Sequence, residues 1–304
     1  MSIRAELHCH NSFSNFHVGE DEPPYDCNVS VRDQLERTLQ QNLDAIFVTN
    51  HNTLSGYDAI LQCKKDHSKF QNIMVYPAEE ITTDTGAHIL AYGIYDEIPP
   101  NLPLDEVLDE IRRQNAISSA PHPFSLLDAM RQDAIQCDMI EVFNSNNVDV
   151  ISNDRAAEFA ATHSMTCVAG SDSHVSDTMG RCVNTIHSSN DLDSILESMR
   201  HGRITIEQTG YANRTETLDH LQYKIRNSRQ YFEEYITEHY SNSRWLLRLL
   251  LHTYSSNPNS ILWTQVYKLG VYLMSRVSSK VNQKGADPSF MKNRDLCNML
   301  RMAI

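Results

Sequence analysis

Seven short apolar runs alternate with helix-like stretches through the first two thirds of the chain, and no other feature narrows the fold as much. The runs cover residues 3–8, 45–49, 73–77, 88–92, 116–120, 139–143 and 166–169. Each is too short for a helix and is bounded by polar, Pro or Gly punctuation, so each reads as a buried strand. Residues 30–42, 104–115, 153–163 and 191–202 carry helical periodicity. Ser30 and Asp191 stand where N-caps belong, and Gly202 stands where a helix stops. This alternation predicts an α/β chain built on a parallel sheet, either open or closed into a barrel.

After residue 210 the pattern changes. Residues 215–240, 243–254, 260–281 and 288–302 read as helices with no convincing strand, separated by Asn257-Pro258-Asn259 and Lys284-Gly285-Ala286-Asp287-Pro288. The charge changes at the same place. Residues 1–210 hold 13 Lys and Arg against 32 Asp and Glu, whereas the remainder holds 13 against 7. Two units are expected, a barrel or sheet over 1–209 and a basic helical region over 210–304. The formal net charge of −13 argues against non-specific coating of nucleic acid. Three readings suit the basic helices. They pack on the acidic unit as a structural subdomain, which is the favoured reading. They guide a polyanion, since Lys224, Arg226, Arg229, Arg244 and Arg248 recur at near-helical spacing. Or they form an oligomer or partner interface through the apolar stretches 245–251 and 261–274.

Seven cysteines in no repeating spacing, with no CxxC pair, indicate neither a disulfide framework nor a cysteine zinc site. Reduced thiols packed as small hydrophobes are expected. The N-terminus shows no apolar signal core, and the most apolar stretch, 245–251, falls well short of the roughly 20 residues a spanning helix needs. A soluble, cytoplasmic protein without membrane contact is the expectation.

The chemistry is suggested by where the polar residues fall. His8-Cys9-His10 ends the first run, Thr49-Asn50-His51 the second, and Glu79-Glu80 follows the third. His88 opens the fourth, His122 follows the fifth, Glu141-Val142-Phe143-Asn144 ends the sixth, and Asp172-Ser173-His174 follows the seventh. In a β/α barrel, strand ends and the loops after them share one face, so residues distant in sequence converge. His8 and His10 are two apart on a strand and point to one side, which suits chelation of a divalent ion. Asp172 and His174 offer a second such pair, and Glu80 could bridge two ions. A lone HxH is weak evidence, but six of the 14 histidines at strand termini, with acids among them, are hard to assign to structure alone. Nitrogen and oxygen donors without thiolates suit zinc, manganese or iron. Two or three ions about 4 Å apart can hold a phosphoryl group and activate water. GxSxG, P-loop and GxGxxG signatures are missing from the sequence.

These motifs, in this order over roughly residues 3–205, resemble the PHP (polymerase and histidinol phosphatase) domain family. The resemblance implies a distorted (β/α)7 TIM-like barrel of PHP type and a multinuclear centre of two or three divalent ions. It also implies hydrolysis of phosphate esters by metal-activated water. Carried over residue by residue, it makes His8, His10, His51, Glu80, His88, His122, Asp172 and His174 metal ligands, with His51, Glu80 and Asp172 closest to the chemistry. Two positions depart from the family pattern. Ser14-Asn15-Phe16 stands where a Ser-Asp-Gly segment is usual, and Asn50 stands where Asp usually precedes the second-motif His. His17, Glu20 and Asp21 are candidates to replace the missing acid. Arg181 is a candidate phosphate clamp, and Asn144 is expected to contact the site or orient a ligand. His67, His163, His187, His201, His220, His239 and His252 fall outside the pattern and read as structural or surface residues. The expected substrate is a nucleotide or other small phosphomonoester. The alternatives are an oligonucleotide end cut by a nuclease, histidinol phosphate, or a PHP-like module that binds metal or nucleic acid with degraded catalysis.

Overall fold

The computed structural model describes residues 1–19, 22–240, 243–258, 260–289 and 296–303. All seven expected runs are strands: β1 Ser2–Cys9, β2 Ala45–Val48, β3 Met74–Thr82, β4 His88–Tyr92, β5 Ile117–Ala120, β6 Met139–Asn144 and β7 Thr166–Gly170. They are neighbours in sequence order along one sheet. Asp172 N and His10 N donate to His8 O and Ser173 O at 2.8 and 3.1 Å, which ties the end of β7 back to β1 and closes the ring. The result is a distorted TIM-like barrel followed by helices.

Two features depart from a uniform parallel barrel. The first is β4, which runs antiparallel to both β3 and β5. Only five residues, 83–87, join β3 to β4, and a parallel crossover needs a dozen or more. The second is a pair of additional strands, β8 Val183–His187 and β9 Ile204–Gln208. β8 pairs antiparallel with β1 on the side opposite β2, and β9 pairs with β8.

The helices α1 Val31–Gln40, α2 Ser55–Asp66, α3 Leu104–Arg113, α4 Val150–His163 and α5 Leu192–Arg200 lie between the strands in sequence. Ser30 and Asp191 cap α1 and α5 by accepting from Asp33 N and Ser194 N, and α4 starts earlier than its periodicity suggests because Asp149 caps it through Ser152 N. Ile3, Ala5 and Leu7 of β1, Ala45 and Phe47 of β2 and Tyr92 of β4 share one buried cluster with Ile195, Leu196 and Met199 of α5. On the other side of β2, Ile46 and Val48 pack with Leu35 of α1 and Ile60 of α2. Strand alternation therefore divides apolar residues between the barrel interior and the helix layer.

The C-terminal region is helical: α6 Arg214–Asn227, α7 Arg229–His239, α8 Arg244–Ser256, α9 Ile261–Ser278 and α10 Leu296–Ala303. The stretch expected as one helix over 215–240 is two, broken at Ser228. Contacts with the barrel are specific. Lys224 Nζ reaches Asp26 Oδ1 at 2.8 Å, Asn15 Nδ2 reaches Tyr223 Oη at 3.0 Å, and Ser278 Oγ reaches Asp149 Oδ1 at 2.7 Å. Among the described residues, no helix is long and apolar enough to cross a membrane.

Candidate metal centre

The imidazoles and acids singled out by position converge at one mouth of the barrel. A bulge between Glu6 and Cys9 interrupts the β1–β2 register, so that Leu7 joins the apolar core while His8, one residue on, joins the polar cluster. His10 follows β1, His51 bridges to Glu80 just after β2, and Glu80 lies in β3. His122 follows β5, Asn144 ends β6, and Asp172 and His174 follow β7. His88 belongs to this mouth for another reason: it starts β4, and only the reversed direction of that strand brings its first residue to the ends of the others.

Glu80 is the centre of the cluster. Its Oε2 stands 3.4 Å from His8 Nε2, 3.2 Å from His10 Nε2 and 3.3 Å from His51 Nδ1. Its Oε1 stands 3.0 Å from His88 Nδ1 and 3.1 Å from His122 Nε2. Asp172 Oδ1 lies 3.4 Å from both His8 Nε2 and His10 Nε2. Two donors each about 2.1 Å from one tetrahedral ion stand about 3.4 Å apart, so this spacing suits a shared cation. The donor atoms also lack other partners: His8 Nε2, His10 Nε2, His51 Nδ1 and Glu80 Oε2 are buried and accept or donate no hydrogen bond. Unsatisfied polar atoms at this density carry a heavy cost unless something binds among them. The residues present therefore fit divalent ions. His8, His10, Glu80 and Asp172 form one ligand set and His51, Glu80 and His88 a second, with His122 Nε2 also 3.1 Å from Glu80 Oε1.

A third set forms around an acid that sequence reasoning missed. Asp26 Oδ2 is 2.8 Å from His174 Nε2 and 3.5 Å from His51 Nε2, is buried, and has no hydrogen-bond donor. Asn15 does not replace the missing acid. Its Oδ1 instead accepts from Asp26 N at 2.7 Å and Cys27 N at 2.9 Å, and so fixes the backbone that presents Asp26. Asn50 offers no free carbonyl, because its Oδ1 accepts from Asn11 N at 2.8 Å and Ser14 Oγ at 3.1 Å. His17 is exposed and outside the ligand groups, and Glu20 and Asp21 lie outside the described residues. No spacing rule marks Asp26, which sits 16 residues beyond His10 in an irregular segment.

Further side chains orient these ligands. Glu141 Oε1 accepts from His8 Nδ1 at 3.0 Å, and its Oε2 accepts from His122 N at 2.7 Å and Asn144 Nδ2 at 2.8 Å. Asn144 Nδ2 also reaches Asp172 Oδ2 at 3.3 Å. Asp172 and His122 adopt positive φ angles of 48° and 30°, conformations non-glycine residues rarely take and that tend to occur at functional sites. Arg181 lies elsewhere: its guanidinium pairs with Glu216 of α6, and it is absent from the cavity lining. His220, which reads as structural in the sequence, does reach the cavity, with Nε2 at 2.8 Å from Asp26 O.

The electrostatics follow from burial and crowding. Burial alone would raise Glu80, but His8, His88 and His51 hold it well below the usual carboxylate range. The same opposition, with His8 against burial, holds Asp172 well below its ordinary value, and His174 and Lys224 do so for Asp26. Burial pushes His51 down to about 4, which favours the neutral form a metal requires.

Fold and site together define a distorted TIM-like barrel with a cluster of candidate metal ligands at one mouth. Residues 150–204 match the family model described as PHP-associated. Two uncharacterized proteins of Methanocaldococcus jannaschii are similar in sequence. One is 34% identical over 120 residues, covering 36% of this chain and 50% of that protein. The other is 27% identical over 157 residues, covering 51% of this chain and 89% of that protein. The match thus spans half the length of the first relative. A lesion-specific endonuclease from Pyrococcus furiosus shares the fold, with a TM-score of 0.50 at 17% identity over 68% of this chain and 58% of that one.

Proposed function

We propose that the chain is a metal-dependent phosphoesterase acting on small phosphomonoesters, nucleotides among them. The observation that carries this reading is the convergence of His8 Nε2, His10 Nε2 and Glu80 Oε2, all buried and unpartnered, beside Asp172. When bound, two or three divalent ions, of manganese, zinc or iron, supply Lewis acidity and lower the pKa of water. The chain's own groups supply position. Glu80 ties the two main ligand sets together, Asp172 is held by Asn144, and His8 is aimed by Glu141. His51, Glu80 and Asp172 are the groups nearest the reacting centre. A cavity of about 330 Å³ opens over them, at the small end of the range for ligand sites.

Metal analysis with hydrolysis of a generic aryl phosphate tests the reading. At least two ions per chain and Mn²⁺-dependent turnover are expected, and His10→Ala and Asp172→Ala should abolish it. Fewer than two ions and no turnover with added Mn²⁺ would overturn the enzyme reading in favour of a non-catalytic module. A nuclease is the second reading, favoured by the fold shared with a lesion-specific endonuclease. Turnover of mononucleotides against 5′-labelled oligonucleotides separates the two.

The same proposal divides the chain at 209/210, between the end of β9 and the start of α6. It places the protein in the cytoplasm. Self-association through the C-terminal helices is supported by the exposed Trp245, Leu249, Ile261, Leu262 and Leu269.

A further inference from the structure

Lys224 belongs to α6, outside the barrel, yet it lines the cavity over the ligand cluster. It is the one Lys or Arg among the described residues that does so, and it faces a lining that includes Glu22, Asp26, Glu80, Asp128, Asp149 and Asp172. An ammonium has three donors. Asp26 Oδ1 takes one at 2.8 Å, and the side chain stays 20% exposed. Anchoring Asp26 is not a sufficient reason for a lysine here. Asn15 already holds the Asp26 backbone N–H, and His220 already holds its carbonyl. The ammonium therefore brings a cationic group, with donors to spare, to the wall of the cavity beside Asp26.

We propose that Lys224 binds the phosphate of the substrate and selects phosphomonoesters over phosphodiesters. The inference rests on the phosphoesterase reading above. A phosphomonoester carries about −1.5 to −2 charge at pH 7 and three terminal oxygens, whereas a diester carries a single charge and two. A point charge on a flexible stem suits the additional oxygen, which the metal-ligand side of the cavity need not reach. His220 and Lys224 of α6 and Met274 of α9 line the cavity, so the C-terminal helices form part of its wall.

The test uses the full-length, metal-loaded protein and the variants Lys224→Met, Lys224→Gln and Lys224→Arg. Metal content is measured together with equilibrium binding of inorganic phosphate and kinetics on an aryl phosphomonoester and the matching diester. Gln still donates to Asp26 but has no charge, so it separates anchoring from anion binding. Met and Gln should each weaken phosphate binding and raise the monoester KM by roughly tenfold to a hundredfold, with metal content unchanged and a smaller change in kcat. The monoester-to-diester preference should fall alongside, and Arg should restore most of it. Phosphate affinity that is unchanged in Met and Gln overturns the proposal, as does rescue by Gln or a loss of metal that accounts for the weaker binding. If the wild-type chain binds phosphate through Lys224 but hydrolyses neither ester, the phosphoesterase reading fails while the anion site stands. If the wild-type chain hydrolyses the monoester and the Lys224 variants match it, the anion site fails while the phosphoesterase reading stands.

Discussion

Glu141 Oε1 lies 3.0 Å from His8 Nδ1, which commits that nitrogen to donating and leaves His8 Nε2 to face Glu80 and Asp172. A carboxylate behind a ligating imidazole sets its tautomer, its orientation and its basicity. Glu141→Gln should keep the fold and weaken metal affinity about 10- to 100-fold. Competition with a coloured chelator measures this directly, and an unchanged affinity would remove Glu141 from the support of the site.

Asp26 groups with His174 and His220 in a candidate ligand set that does not include Glu80. Asp26→Ala should therefore lower the metal content by one ion per chain, whereas Glu80→Ala should cost more than one. Elemental analysis of the purified variants distinguishes them. Equal metal content in Asp26→Ala and the parent chain would contradict the third set.

Burial pulls the His88 imidazole down, but Glu80 at 3.0 Å outweighs it and raises His88 to about 9. A ligating imidazole must be neutral, so metal loading at pH 7.5 should expel protons. Titration calorimetry in buffers of different ionisation enthalpy reads the number released. Chelation should also lower Tm, because an ion bound only to the folded chain stabilises it by mass action.

Gly170 is held to glycine by space. A Cβ there would stand 2.6 Å from His8 Cβ and collide with the Glu141 carboxylate. Gly170→Ala should destabilise the chain by about 1–3 kcal/mol and reduce metal content, since the pair it displaces aims a ligand. Urea denaturation and metal analysis check both halves of that expectation.

Glu79, next to Glu80 but on the other face of β3, is pushed up to about 8 by burial, with Ile98 N donating to its Oε2 at 3.1 Å. In the unfolded chain its pKa falls near 4.5. The folded state therefore holds a proton that the unfolded state gives up between those values. Its contribution is fully present below pH 4.5 and is lost as pH rises toward 8, on the order of 3–5 kcal/mol. Glu79→Gln should flatten this part of the pH–stability curve and raise Tm at pH 8 relative to the parent. Parallel curves for the two proteins would sink the assignment.

The alternation of apolar runs with helical periodicity, and the placing of His8, His10, His51, Glu80, His122, Asp172 and His174 at strand ends, could be read without coordinates. Both are local patterns, with strand period and length on one side and residue type at a terminus on the other. β8 escapes such a reading because Val183–His187 runs Val-Asn-Thr-Ile-His, where polar residues interrupt the apolar run. β9 escapes it for a similar reason, as Ile204–Gln208 alternates Ile with Thr and Glu and is half exposed. The reversal of β4 follows from the five-residue link before it, although strand patterning alone does not carry direction.

What the sequence determined was the class of fold, the succession of strands and the ligand types available to a metal. Which groups share an ion was decided only in three dimensions. Asp26 enters the site because Asn15 holds its backbone, Glu141 because it lies behind His8, and Lys224 because α6 packs on the barrel, whereas Arg181 is drawn away by Glu216. The physical reason is range. Propensity and periodicity act over a few residues, while the contacts that assemble the site join segments up to 198 positions apart in the chain.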